Sequence, residues 1–131
     1  MEKQVVNPWT WQDRFGFVQG NLVENAERVL YCSGQTSVDE NGSPLHAGDM
    51  EAQALQAIDN LETVVRRGGL ELGDVVRVTI YVTDMDAYRA AAPAVGARMG
   101  QAGARFASTL IGVERLALPE LMIEITATAM R

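Results

Sequence analysis

Leu121-Met122-Ile123-Glu124-Ile125-Thr126-Ala127-Thr128-Ala129 decides the fold of this chain. Its odd positions are Leu121, Ile123, Ile125, Ala127 and Ala129, and its even positions are Met122, Glu124, Thr126 and Thr128. Apolar residues at every second position mark a β-strand with one face against a core. Seating the odd residues inward buries both isoleucines. The opposite phase would expose them and force Glu124 under a hydrophobic layer. Glu124 therefore belongs on the other face, mid-strand, among small and apolar side chains. A carboxylate in that setting needs water, a partner or a ligand to receive it, which makes Glu124 the first candidate site residue. A solvated face of an antiparallel sheet is the plainer reading of the same pattern.

Working outward, Val75-Val76-Arg77-Val78-Thr79-Ile80-Tyr81-Val82 is rich in β-branched residues and too apolar for a sheet edge. Shorter strands are expected at Phe17–Val23, Arg28–Ser33 and Ser108–Val113, with turns at Asp39–Pro44 and Leu118–Glu120. The first helix starts at Asp49, a good cap, and repeats Ala54, Ile58, Leu61 and Val65 on one stripe, widened by Met50, Ala57 and Val64. Gly68-Gly69 ends it. Glu51, Gln53, Gln56, Asn60 and Arg67 make a polar face expected to meet water. A second helix is expected from Asp84 to about Met99, bent or divided at Pro93.

The resulting order, β-β-α-β-α-β-β, is an α+β fold with two helices on one face of a single mixed sheet. No linker divides residues 1–131, so they read as one domain; residues 1–14, with Pro8, Trp9 and Trp11, form an N-terminal arm that packs on the domain or on a neighbour. Met122 and Met130 would lie bare on the uncovered face of a lone chain, which points to contact between subunits.

Composition removes several function classes. A formal net charge of −6, with eleven scattered Lys and Arg, argues against a nucleic-acid partner. No stretch is apolar for long enough to cross a membrane, and Met1-Glu2-Lys3-Gln4-Val5 lacks the apolar run of a signal peptide. The lone Cys32 allows no internal disulfide, so a cytoplasmic setting is expected, with Cys32 a buried thiol. His46 is the one histidine and has no second ligand nearby, so no metal is expected. There is no glycine-rich phosphate loop and hence no sign of a nucleotide cofactor. Chemistry is left to carboxylate, hydroxyl, backbone and water.

Several residue groups together carry a resemblance. They are Ser33-Gly34-Gln35 after a strand, Gln53-Ala54 through Asn60-Leu61, Gly69 with Asp74-Val75-Val76, then Thr79, Tyr81-Val82 and Asp84. Leu116, Pro119 and Ile123-Glu124-Ile125 complete the set. In this order and spacing the chain resembles, over roughly residues 15–130, the Rid family, also called YjgF-like, whose founding members hydrolyse reactive enamines and imines. The resemblance implies a chorismate-mutase-like fold, a homotrimer with small-molecule clefts between subunits, and no metal or organic cofactor. In the deaminating members an arginine on the penultimate strand grips the substrate carboxylate. A backbone carbonyl and a glutamate on the last strand position water.

Carried over by position, the glutamate falls on Glu124 and the Ser-Gly pair on Ser33 and Gly34. The aromatic at the cleft mouth, usually tyrosine, falls on Phe17, and an asparagine of the second helix on Ala92. The arginine falls on Ser108, the cysteine two residues on falls on Leu110, and Thr109 adds a hydroxyl between them. A serine cannot make the two parallel charged hydrogen bonds of a guanidinium. An α-imino acid would then bind about 100-fold more weakly. Arg105 and Arg115 have the wrong strand parity relative to Ser108, so Arg105 could replace it only through a bulge or a bent strand entry. Two readings follow. One is a cofactor-independent hydrolase of C=N bonds using Glu124 and water. The other is a non-catalytic small-molecule-binding or interaction trimer, in which Ser33, Ser108 and Thr109 hydrogen-bond a ligand and Phe17 forms an apolar wall.

Overall fold

The computed structural model of the chain describes residues 1–131. Six strands and two helices follow in the order β1 (Glu2–Val6), β2 (Gly20–Glu24), β3 (Val29–Thr36), α1 (Met50–Arg67), β4 (Val75–Val82), α2 (Met85–Gln101), β5 (Ala107–Gly112) and β6 (Ile123–Met130). The main sheet runs β3-β6-β4-β5, with β6 antiparallel to both neighbours and β4 parallel to β5 across the α2 crossover. From β2 onward the order is the expected one, and the fold is the chorismate-mutase-like α+β arrangement. The arm contributes a strand of its own, β1, which pairs antiparallel with β2. This ribbon is tied to the β5 edge where the Val18 N–H donates to Phe106 O at 3.0 Å and Val18 bridges Ala107.

The parity read from β6 holds. Ile123, Ile125, Ala127 and Ala129 are buried beneath the helices, and the residues between them are half-exposed. They join Ile58, Leu61, Val65, Val78 and Val82 in one core. Both helices begin as their sequences require: Asp49 accepts from Ala52 N–H and Asp84 from Ala87 N–H, each at 3.0 Å. Gly69, at φ +77°, ends the first helix in the left-handed conformation.

Two expectations need correction. Pro93 does not divide α2, which runs unbroken from Met85 to Gln101. Pro93 and Arg89, the residue whose carbonyl loses its donor, are both exposed, so the missing hydrogen bond falls on the solvent side of the helix. The polar face of α1 is also drier than expected. Glu51 and Arg67 are exposed, but Gln56 and Asn60 are half-buried and Gln53 is 0% exposed. Asn60 donates to the carbonyls of Thr36 and Val38, each at 2.9 Å, fastening the end of β3 to the helix.

The helices are joined by charge as well as by packing. Arg98 of α2 meets Glu62 of α1 at 2.6 Å and Asp59 at 3.5 Å, and Arg66 meets Glu62 at 3.0 Å. The hydrogen bond from Arg98 holds the Glu62 carboxyl below its ordinary value of 4.5 against a smaller opposing effect of burial. A carboxyl depressed in the folded state stabilises the fold above its unfolded pKa. That contribution is lost as pH falls through the folded value. Glu62→Gln is therefore expected to remove about 0.5–1 kcal/mol at neutral pH, the range for a partly exposed network. In paired thermal melts the deficit should shrink as pH drops below 4.5; a deficit independent of pH would mean the effect is packing.

Candidate functional site

The uncovered face of the sheet presents Tyr31 and Ser33 from β3, Glu124, Thr126, Thr128 and Met130 from β6, Arg77, Thr79 and Tyr81 from β4, and Ala107, Thr109 and Ile111 from β5. Glu124 stands in register with Thr36 on one side and Tyr81 on the other. Tyr31 is 79% exposed. This face mixes aromatic, hydroxyl and apolar groups with one carboxylate and one guanidinium and is not covered by either helix.

The backbone makes a special place for Glu124. Cys32 pairs with Ala127 and Gln35 with Ile125, so Ser33 and Gly34 together oppose the single residue Thr126. Such a bulge bends its strand and re-aims the side chains beside it. The Glu124 carboxylate lies directly over Gly34: a Cβ there would stand 2.5 Å from both its Cδ and Oε2. Gly34 is absent from the residues of positive φ, so its conformation suits any residue. Its missing side chain serves the close approach of the carboxylate. The one buried side-chain polar atom without a partner is Asn21 Oδ1, and no ion pair of the chain involves Glu124. The carboxylate is half-buried and free to accept from an incoming group.

The remaining candidates divide between two locations. Gly34 adjoins Glu124, and Ser33 precedes it in the bulge. On β5, Ser108 is in register with Val78 and Leu110 with Ile80, both core residues of β4, whereas Thr109 is in register with Thr79. Thr109 thus shares the Glu124 face, and Ser108 and Leu110 lie on the helix side of the edge strand. A separation of three residues along β4, about 10 Å, adds to this difference of face. One chain does not bring Ser108 and Glu124 together. Phe17 packs on the core margin next to the bridge at Val18 and meets Trp11 edge-on, ring centroids 5.9 Å apart. Ala92 is half-buried against the same core. Cys32 is buried on the core side, where desolvation raises its thiol pKa and keeps it protonated.

Arg77, exposed on β4, donates to Thr109 Oγ1 and is the cation of the uncovered face. The alternation Arg77, Thr79, Tyr81 within an apolar run was its signal. Arg105 and Arg115 lie outside the strands, both exposed.

Comparison with known proteins fits this fold. The family model described as Endoribonuclease L-PSP matches residues 15–131. The 2-iminobutanoate/2-iminopropanoate deaminase of Escherichia coli K12 is 33% identical over 116 residues, covering 88% of this chain and 87% of that protein. Among solved structures, YyfB of Yersinia pestis, described as a protein of unknown function of the conserved Rid family, superposes with a TM-score of 0.86 at 36% identity over 100% of both chains. The YjgF gene product of E. coli superposes with a TM-score of 0.70 at 33% identity over 87% of each. The family model covers residues 15–131, and the chain belongs to the Rid family of YjgF-like proteins.

Proposed function

We propose that this protein is a homotrimer whose intersubunit clefts bind a small metabolite and hydrolyse its C=N bond, with Glu124 orienting the attacking water. The observation that carries the reading is the Glu124 carboxylate seated over Gly34 with no ion-pair partner in its own chain. A general base needs an available lone pair within hydrogen-bond reach of water. The chemistry balances without cofactor. Water oxygen bonds to the imine carbon while the C=N electron pair and one water proton go to nitrogen; the hydroxyl proton of the resulting carbinolamine then passes to nitrogen as the C–N bond breaks, leaving a carbonyl and ammonia.

The placement of Ser108 and Glu124 on opposite faces favours a cleft assembled from two chains, one supplying the β6 carboxylate and the other its β5 edge. The deaminase name of the E. coli relative supports C=N chemistry. A net charge of −6 weighs against RNA as the substrate, despite the description of the family model. With Ser108 at the arginine position, a substrate that depends on a carboxylate clamp is disfavoured.

Imines generated in situ by an amino-acid oxidase, with release of the keto acid followed, test the proposal. Wild-type protein should accelerate 2-iminopropanoate hydrolysis little. Ser108→Arg should raise the rate about 100-fold if two charged hydrogen bonds are regained, and Glu124→Gln in that background should remove the gain. A fast wild-type reaction indifferent to Glu124→Gln would refute the role of Glu124. Sedimentation showing a monomer would refute the intersubunit cleft.

A further inference from the structure

We propose that Trp11 is a ligand-contacting residue whose indole forms a wall of the cleft and selects substrates bearing a planar, uncharged group beside the C=N bond. This rests on the hydrolase reading for the reacting bond, but the binding it describes is measurable without turnover.

Trp9, Trp11 and Phe15 are each more than half exposed, all within one short segment. Exposed tryptophans on a loose arm would carry no weight, but this segment is built. Gln12, between them in the chain, is 0% exposed. Its amide donates to Trp9 O at 2.7 Å and to Asp13 Oδ1 at 3.2 Å, and its Oε1 accepts from Gln19 Nε2 at 3.2 Å. Asn7 Oδ1 accepts the Gln19 N–H at 2.8 Å, and Asn21 donates to the carbonyls of Val76 and Arg105 at 2.8 and 3.0 Å. A buried amide that makes its bonds fixes the backbone around it. The aromatic residues are held on a polar frame.

Their geometry leaves room for a ligand. The Trp11 ring meets Phe17 at 73° and Phe15 at 70°, edge-on in both cases. Edge contacts do not use both faces of an indole. Phe15 already carries the Arg14 guanidinium 4.6 Å from its ring centre, so Trp11 offers the open surface. Through Phe17 and the Val18 bridge to Ala107 the cluster adjoins the start of β5, one residue before Ser108. The family model begins at residue 15, so Trp11 lies just before the segment it matches. A wall that recognises a flat neutral group suits a cleft that lacks the carboxylate-gripping arginine.

Trp9 and Trp11 are the only tryptophans, so Trp9→Phe makes Trp11 the sole indole reporter. The assembled full-length protein is titrated with benzamide and with acetamide, stable carbonyl stand-ins, by calorimetry and by Trp11 fluorescence. Benzamide should bind at least about tenfold more tightly than acetamide, Trp11→Ala should erase that preference, and Trp11→Phe should restore most of it. Equal affinity for both amides, absence of saturable benzamide binding, or an unchanged preference in Trp11→Ala overturns the proposal. So does a Trp11 shielded from acrylamide in the ligand-free protein, because a second copy would then cover the ring. If no variant turns over any imine, the hydrolase reading fails while the Trp11 result stands.

Discussion

Replacing Gln53 with alanine is expected to destabilise the fold by about 3–5 kcal/mol and to lower its melting temperature by roughly 10–20 °C. The side chain is fully enclosed and every one of its bonds leads to backbone. Nε2 donates to Glu120 O at 2.8 Å and to His46 O at 3.2 Å, and Oε1 accepts the Met122 N–H at 2.8 Å. One amide thus ties the turn before β6 to the loop before α1. Alanine keeps the helix but strands two carbonyls and one N–H, each costing about 1–3 kcal/mol if water does not reach it. Gln53→Leu separates the terms, because it restores most of the volume without the bonds. Loss of stability in Leu close to that in Ala would assign the effect to hydrogen bonding. A Leu variant as stable as wild type would refute the account.

Gln53 also shows where the sequence could be read and where reading it by polarity went astray. Met50, Gln53, Ala54, Ala57, Ile58, Leu61 and Val65 are the buried residues of α1, and position 53 lies three after 50 and four before 57. Helical geometry placed it on the inner stripe, and only its polarity suggested water. The parity of β6, the helix caps at Asp49 and Asp84 and the interior place of β4 were legible because each follows from neighbouring residues. The pairing of β1 with β2 was not, since Glu2–Val6 has no alternation to announce a strand and its partner begins at Gly20. Glu124 stood out by strand parity and Ser33 and Gly34 were joined to it only by the resemblance; the structure sets the Glu124 carboxylate over Gly34. Ser108 could not be assigned a face, because the edge strand carries hydroxyls on both: Ser108 aligns with Val78 and Thr109 with Thr79. That distinction depends on a register set by residues some thirty positions apart.

Gly34→Ala is the substitution expected to cost function most relative to its cost in stability. The added Cβ would lie 2.5 Å from the Cδ and Oε2 of Glu124 and 2.7 Å from its Cγ. These atoms belong to a flexible side chain, so the carboxylate swings away and the sheet stays intact. The fold should lose only about 1–2 kcal/mol, as in ordinary overpacking. The site, however, loses the position of its one acid, and a displacement of about 1 Å is enough to reduce an oriented reaction about 100-fold. Activity regained through Ser108→Arg should therefore fall in Gly34→Ala almost as far as in Glu124→Gln, with melting temperature little changed. A double-mutant cycle isolates the contact. Removing the Glu124 side chain as Glu124→Ala relieves the crowding, and the same Gly34→Ala change should then be neutral or stabilising by about 0.5 kcal/mol, because alanine restricts the unfolded chain more than glycine does. Independent, additive effects at the two positions would mean that Gly34 serves the bulge and not the carboxylate. Strong coupling would establish that this backbone leaves out a side chain at position 34 to hold Glu124 where it stands.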